Sequence, residues 1–106
     1  IEGNYKDGKR NGLEVMWHEN GKKATERNYK DGKEDGLEMG WHENGKKAYE
    51  ANNKDGKLDG LYLRWHDNGQ QMAESNYRNG NKIEGSEKFW NSKGEPVKSL
   101  KEAFKQ

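Results

Sequence analysis

The sequence predicts an all-β chain: tandem 24-residue β-hairpin repeats forming an elongated, single-layer antiparallel meander with a short C-terminal cap. Three observations predict it. Trp17-His18, Trp41-His42 and Trp65-His66 recur every 24 residues, and Gly12-Leu13, Gly36-Leu37 and Gly60-Leu61 keep the same period. Asp-Gly and Asn-Gly pairs, favoured in tight hairpin turns, alternate along the chain in that register. Between the turns, apolar and polar residues alternate with period two, the mark of a half-buried strand.

The turns are Asp7-Gly8, Asn20-Gly21, Asp31-Gly32, Asn44-Gly45, Asp55-Gly56 and Asn68-Gly69. Gly8, Gly21, Gly32, Gly45, Gly56 and Gly69 are the expected structural turn residues. Both kinds of pair are expected as type I′ turns, with positive φ at both central positions. Leu13, Val15 and Trp17 share one strand face, as do Leu37, Met39 and Trp41, then Leu61, Leu63 and Trp65. The opposite face starts with Glu14, Met16 and His18. Gly12, Gly36, Gly60 and Gly85 each precede a Trp-bearing strand, where a bulge or a close backbone approach is expected. Return strands are expected over 22–30, 46–54 and 70–78, giving roughly nine short strands in all.

A fourth unit begins at Asn76 and is degraded. Asn79-Gly80 stands for Asp-Gly, one inserted residue displaces Gly85 and Trp90, and Lys93-Gly94 replaces Asn-Gly. The repeat array is placed at residues 1–98 and a cap or tail at 99–106, with a short helical turn over Ser99–Phe104. Burying one large side chain contributes roughly 1.5–3 kcal/mol. A single hairpin therefore has too few such contacts to stand alone, whereas stacked units do not.

Only 27% of the 106 residues are hydrophobic and 37% are charged, a composition that leans toward disorder. Four Trp, five Tyr, a single Pro and the strict periodicity oppose that reading. The net charge of +1 is spread with both signs interleaved, so no basic stripe for nucleic acid stands out. Cysteine is absent, which removes disulfides and thiolate metal sites. Ile1 stands where an initiator Met would, which leaves a mature exported form and an excised fragment both open.

Candidate sites follow from the period. Equivalent residues two strands apart lie roughly 9.6 Å from each other. His18, His42 and His66 are then too far apart to share one metal ion, and each is expected to pair with a neighbouring carboxylate. Neither a metal nor any other cofactor is called for. Trp17, Trp41, Trp65 and Trp90 form an aromatic row whose rings are too far apart to stack directly, so other side chains must interleave. That row reads either as a core stripe or as a half-open groove for a partner. Lys22-Lys23 and Lys46-Lys47 would suit anionic lipid headgroups, but Glu19, Glu26, Glu43 and Glu50 accompany them. Paired carboxylates recur in every unit, so no unique acid–base pair stands out and no catalytic residue is assigned.

The unit Tyr5-Lys6-Asp7-Gly8-Lys9-Arg10-Asn11-Gly12-Leu13, continued by Trp17, Asn20 and Gly21, resembles the MORN repeat in its bacterial variant. Tyr29 to Leu37 and Lys54 to Leu61 repeat it, with Asn53 where Tyr is expected. Lys23, Lys47 and Gln71 stand where the variant often has Leu, so a wetter second face is expected. Proteins built from this variant look like the YwqK-type family, commonly labelled the antitoxin of toxin–antitoxin pairs. That resemblance implies a non-catalytic protein-binding scaffold, cytoplasmic if antitoxin-like and exported if a signal segment preceded Ile1. Other MORN proteins imply a membrane-surface module for acidic phospholipids, or a structural segment of a larger surface protein. A homodimer through an uncovered Trp face is a further expectation.

Overall fold

The computed structural model describes residues 5–6 and 8–104. Asp7 of the first turn, residues 1–4 of the array and residues 105–106 of the cap lie outside the described residues.

Strands β1 (Tyr5–Lys6) and β2 (Lys9–Arg10) form a small hairpin. The main sheet holds β3 (Gly12–Trp17), β4 (Lys23–Lys30), β5 (Lys33–Glu34), β6 (Gly36–Trp41), β7 (Lys47–Lys54), β8 (Lys57–Trp65), β9 (Gln71–Arg78), β10 (Asn81–Lys82), β11 (Lys88–Trp90) and β12 (Pro96–Val97). Every pairing is antiparallel and spatial order follows chain order, as a meander requires. The molecule measures 49 × 36 × 14 Å, the thinness of a single layer of sheet. The strand count exceeds the sequence expectation because β4 divides its partner: Lys30 and Tyr29 pair with β5, Thr25 and Glu26 with β6. Gly36 (φ 104°) marks the break, and a side chain there would be strained by its positive φ.

The Asp-Gly turns have the expected form. Asp31 and Asp55 take φ near 51°, and their glycines take φ of 85° and 83°. The Asn-Gly turns do not. Gly21, Gly45 and Gly69 have positive φ, but Asn20, Asn44 and Asn68 do not. The glycine N–H bonds instead to the histidine carbonyl three residues back, at 2.9–3.0 Å. This is the three-residue hairpin loop ending in a left-handed glycine. The asparagine favours it by accepting, through Oδ1, the N–H two residues ahead in Lys22, Lys46 and Gln70 at 2.9 Å. A bulge follows in each unit, between Met16/Trp17, Gly40/Trp41 and Arg64/Trp65, and it leaves Ala24, Ala48 and Met72 as the extra residues.

Alternation gives the sheet two faces. The Trp face carries Leu13, Val15 and Trp17 with their equivalents. The opposite face, here the Tyr face, carries Glu14 opposite Arg27, Ala51 opposite Tyr62, and Tyr49 opposite Arg64. Lys23, Lys47 and Gln71 pair with Trp17, Trp41 and Trp65, so they wet the Trp face and not the second one. The deeper burial lies on the Tyr face, at Glu14 (4% exposed) and Ala51 (2%), while Val15 on the Trp face and Ala73 on the Tyr face are buried alike. At the C-terminal end Met72, Ala73 and Ala103 are buried together, with Phe89, Val97 and Leu100 packed against them.

Helix α1 (Leu100–Ala103) is the short helical turn expected there. Ser99 Oγ accepts from the Glu102 N–H at 3.2 Å, and the Glu102 carboxylate accepts from the Lys98 N–H at 3.1 Å. Ser-x-x-Glu is the capping-box pattern, which sets where a helix starts. In the fourth unit the inserted residue is accommodated by Ser86, whose Oγ accepts from the Asn76 N–H and donates to the Ile83 carbonyl.

Candidate binding surfaces

The repeated polar residues tie each unit to the next. Nε2 of His18, His42 and His66 meets the carbonyl of Trp41, Trp65 and Trp90 at 2.8, 3.0 and 2.9 Å. A carbonyl only accepts, so Nε2 carries the proton. These histidines were expected to pair with carboxylates; the bulge turns them along the sheet to a backbone partner. Asn20, Asn44 and Asn68 donate to the carbonyls of Glu43, Asp67 and Ser92 at 2.7–2.8 Å. Asn28 and Asn52, which period-based reading passed over, donate to Leu37 and Leu61 carbonyls. At the far end of each hairpin, Gly32, Gly56 and Gly80 N–H groups reach the carbonyls of Arg10, Glu34 and Leu58 at 2.8 Å. Asn91 and Lys93 take the histidine and asparagine places in the fourth unit. There Asn91 folds back on its own turn, donating to Glu95 and accepting from the Lys93 N–H.

The Trp face is a stripe. Trp17 is 45% exposed, and Leu13 and Leu61 are also exposed. The interleaving side chains expected between the rings are lysines: Lys23 Nζ stands 5.3 Å from the Trp41 ring centroid, and Lys47 Nζ 5.8 Å from that of Trp65. Each lysine also pairs with a carboxylate, Lys23 with Glu26 at 2.8 Å and Lys47 with Glu50 at 2.9 Å. In the third unit Gln71 and Glu74 replace that ion pair. The Trp41 and Trp65 rings thus each carry a lysine over one side, and none of the four rings is among the buried core residues.

The Tyr face is not a stripe. Glu34 and Glu38 come together there with Arg27, Tyr49 and Asn53. Tyr49 Oη donates to Glu38 Oε2 at 2.7 Å, and Arg27 Nε does so at 3.3 Å. Asn53 Nδ2 donates to both carboxyls, at 3.1 and 3.0 Å. Burial, then its hydrogen bond to Glu38, pushes the Glu34 carboxyl up to about 7. Burial also acts to raise Glu38, but hydrogen bonds from Tyr49, Glu34 and Asn53, with the charge of Arg27, outweigh it and hold Glu38 below the usual range. Burial and the bond to Glu38 push Tyr49 up to about 12. Below about pH 7 the proton of the pair therefore resides on Glu34, with Glu38 ionised beside it. The neighbouring units have no counterpart of this pair: Arg10 and Glu14 occupy the same places one unit earlier and form an ion pair, and Leu58 and Tyr62 occupy them one unit later. The expectation that no carboxylate pair could be singled out is corrected here.

Gly40 makes room for the cluster. A Cβ there would lie 2.1 Å from Tyr49 Cε1. Beyond it, Tyr49, Tyr62 and Tyr77 form a tilted row with ring centroids 6.4 and 6.1 Å apart. Among the described residues no group of three or more His, Asp or Glu is placed to hold a metal ion. No described helix is long and apolar enough to cross a membrane.

The fold and these surfaces define an open, tandem hairpin-repeat protein. Comparison with protein families places three successive MORN repeat variant matches on residues 10–31, 34–55 and 58–79, and the chain belongs to that family. No curated protein and no solved structure matched it. MORN repeats are non-enzymatic modules associated generally with protein or membrane binding.

Proposed function

We propose that this chain is a protein-binding scaffold without catalytic activity of its own, engaging its partner through the row Trp17, Trp41, Trp65 and Trp90. The observation that carries this reading is the half-covered Trp row beside exposed Leu13 and Leu61. Aromatic side chains of this kind serve as anchors at interfaces, where they bring large apolar area at low entropic cost. An antitoxin-like role in a toxin–antitoxin pair is the particular form of this proposal, supported by the likeness of the Tyr-Lys-Asp-Gly and Trp-His-Glu-Asn-Gly units. Co-purification from the native source tests it. A partner captured by the wild-type chain should be lost with Trp41→Ala while the melting temperature stays near that of wild type. Capture unchanged by the substitution would refute the Trp-face reading.

Acidic phospholipid is the second reading, favoured by Lys22 and Lys23 lining a shallow hollow with Trp41 and Gly45. The pairing of Lys23 and Lys47 with glutamates reduces the charge available to a membrane. Sedimentation with anionic but not neutral vesicles, weakened by salt, would support lipid over protein. Self-association through the same face is checked by sedimentation equilibrium of wild type and Trp41→Ala.

A further inference from the structure

Beyond the Trp stripe, the Tyr face has one place where side-chain chemistry is left open. A hollow of about 240 Å³ lies between the third hairpin, the fourth and helix α1. Tyr62, Tyr77 and Phe89 supply rings, and Ala73 and Leu100 supply apolar wall. Arg64 reaches it from β8. Its Cα partners are Tyr49 and Ala73, both on the Tyr face, and it is half-buried.

Arg64 makes no ion pair, hydrogen bond or ring contact with any described residue. The other cation at the hollow, Lys82, is already paired with Glu87 at 2.9 Å. Glu74, which borders the hollow, turns its side chain to the Trp face, where it takes a long hydrogen bond from Gln71 at 3.4 Å. A half-buried guanidinium bears a desolvation cost that its surroundings usually offset with a carboxylate, as Glu14 does for Arg10 and Glu38 for Arg27. The equivalent positions in the earlier units hold Met16 and Gly40, so the arginine answers no requirement of the repeat.

We propose that the hollow formed by Arg64, Tyr62, Tyr77 and Phe89 is a binding site for a carboxylate carried on a flat apolar group. The guanidinium takes the carboxylate through paired N–H donors, and the rings take the apolar body. The volume lies below the range of drug-sized pockets, which limits the ligand to one ring and a short acid arm. That chemistry occurs in a free aryl acid and in a peptide chain ending in phenylalanine.

Titration with 3-phenylpropionate, its amide, and a phenylalanine-terminated tetrapeptide with free or amidated end tests the proposal, read by backbone NMR shifts at Tyr62 and Tyr77. Saturable binding is expected for the acids, with the amides weaker by about tenfold or more. Arg64→Met, which installs the side chain of the first unit, should weaken the acids by a similar factor while leaving the melting temperature unchanged. Lys82→Ala should change affinity by less than about threefold, because its charge is already paired at the surface. Tighter binding of the tetrapeptide assigns the site to a chain end; equal or tighter binding of 3-phenylpropionate assigns it to a small acid. Absence of saturable shifts, equal affinity for acid and amide, or unchanged affinity in Arg64→Met would overturn the proposal.

Discussion

The two faces of this sheet are built from the same strands and follow different rules. On the Trp face, position-matched residues stay alike through three units: Leu13, Leu37 and Leu61; Trp17, Trp41 and Trp65; Glu26, Glu50 and Glu74. On the Tyr face they diverge: Glu14, Glu38 and Tyr62; Met16, Gly40 and Arg64; Arg27, Ala51 and Ser75. A repeat array can therefore carry a uniform contact stripe on one side and single, local chemistry on the other. The regularity of the backbone does not forbid a unique cluster, because only alternate residues are needed to keep the stripe.

The comparison breaks most sharply at Gly40. Any side chain there collides with the Tyr49 ring, which is held by its bond to Glu38. Gly40→Met should lower stability by about 1–3 kcal/mol, the usual range for overpacking. Adding Tyr49→Thr recreates the Met16 and Thr25 pair of the first unit and should recover most of that loss in urea unfolding. Failure of the double substitution to recover stability would mean that the two faces are not separable in this way.

His42→Ala tests what the conserved ladder contributes. It removes the bond to the Trp65 carbonyl, and an expected loss of about 0.5–2 kcal/mol follows from leaving a half-buried acceptor without its donor. Asn44→Ala, at the exposed turn, should cost less in the same unfolding assay.

Glu34 gives the Tyr face a pH dependence. Its folded pKa, raised to about 7, exceeds its unfolded value, so the native state binds more protons between pH 4.5 and about 7. The stability this contributes is fully present below the unfolded value and is lost as pH rises through the folded one. Glu38, shifted the other way, contributes stability above its ordinary value that is lost as pH falls through its lowered one. Glu34→Gln should remove the decline between pH 4.5 and 7 and leave the acid limb in place, as followed by thermal melts across pH. The smallest effect belongs to the stripe itself. Lys47→Ala should cost about 0.5–1 kcal/mol, the scale of an exposed cation–π contact, because water and salt screen the accompanying pair with Glu50.

Much of the fold was legible in the sequence. Period, turn positions, strand alternation and the grouping of Trp17, Trp41 and Trp65 all depend on local patterns that a repeat writes several times over. The form of the Asn-Gly turns was not, because the same dipeptide serves both hairpin classes and the choice rests on the bulge beside each Trp. The histidine bonds were hidden for a related reason: their partner is a backbone carbonyl, which has no sequence signature. The Glu34–Glu38 cluster was hidden by the periodicity itself. Self-comparison brings out what the units share, whereas this cluster draws Arg27, Glu38, Tyr49 and Asn53 from adjoining strands at positions where the units differ.

The ladder of side-chain bonds also has a direction. Histidine and asparagine donors in each hairpin reach carbonyls of the hairpin that follows, never more than 24 residues away. On a ribosome, where the N-terminal part emerges first, each hairpin is made before its acceptors exist and is completed by its successor. Closure between neighbouring hairpins favours stepwise growth of the sheet during synthesis. In the fourth unit Asn91 stands in the histidine's place and bonds its own turn, donating to Glu95, so there the forward-reaching histidine bond is replaced by a local one.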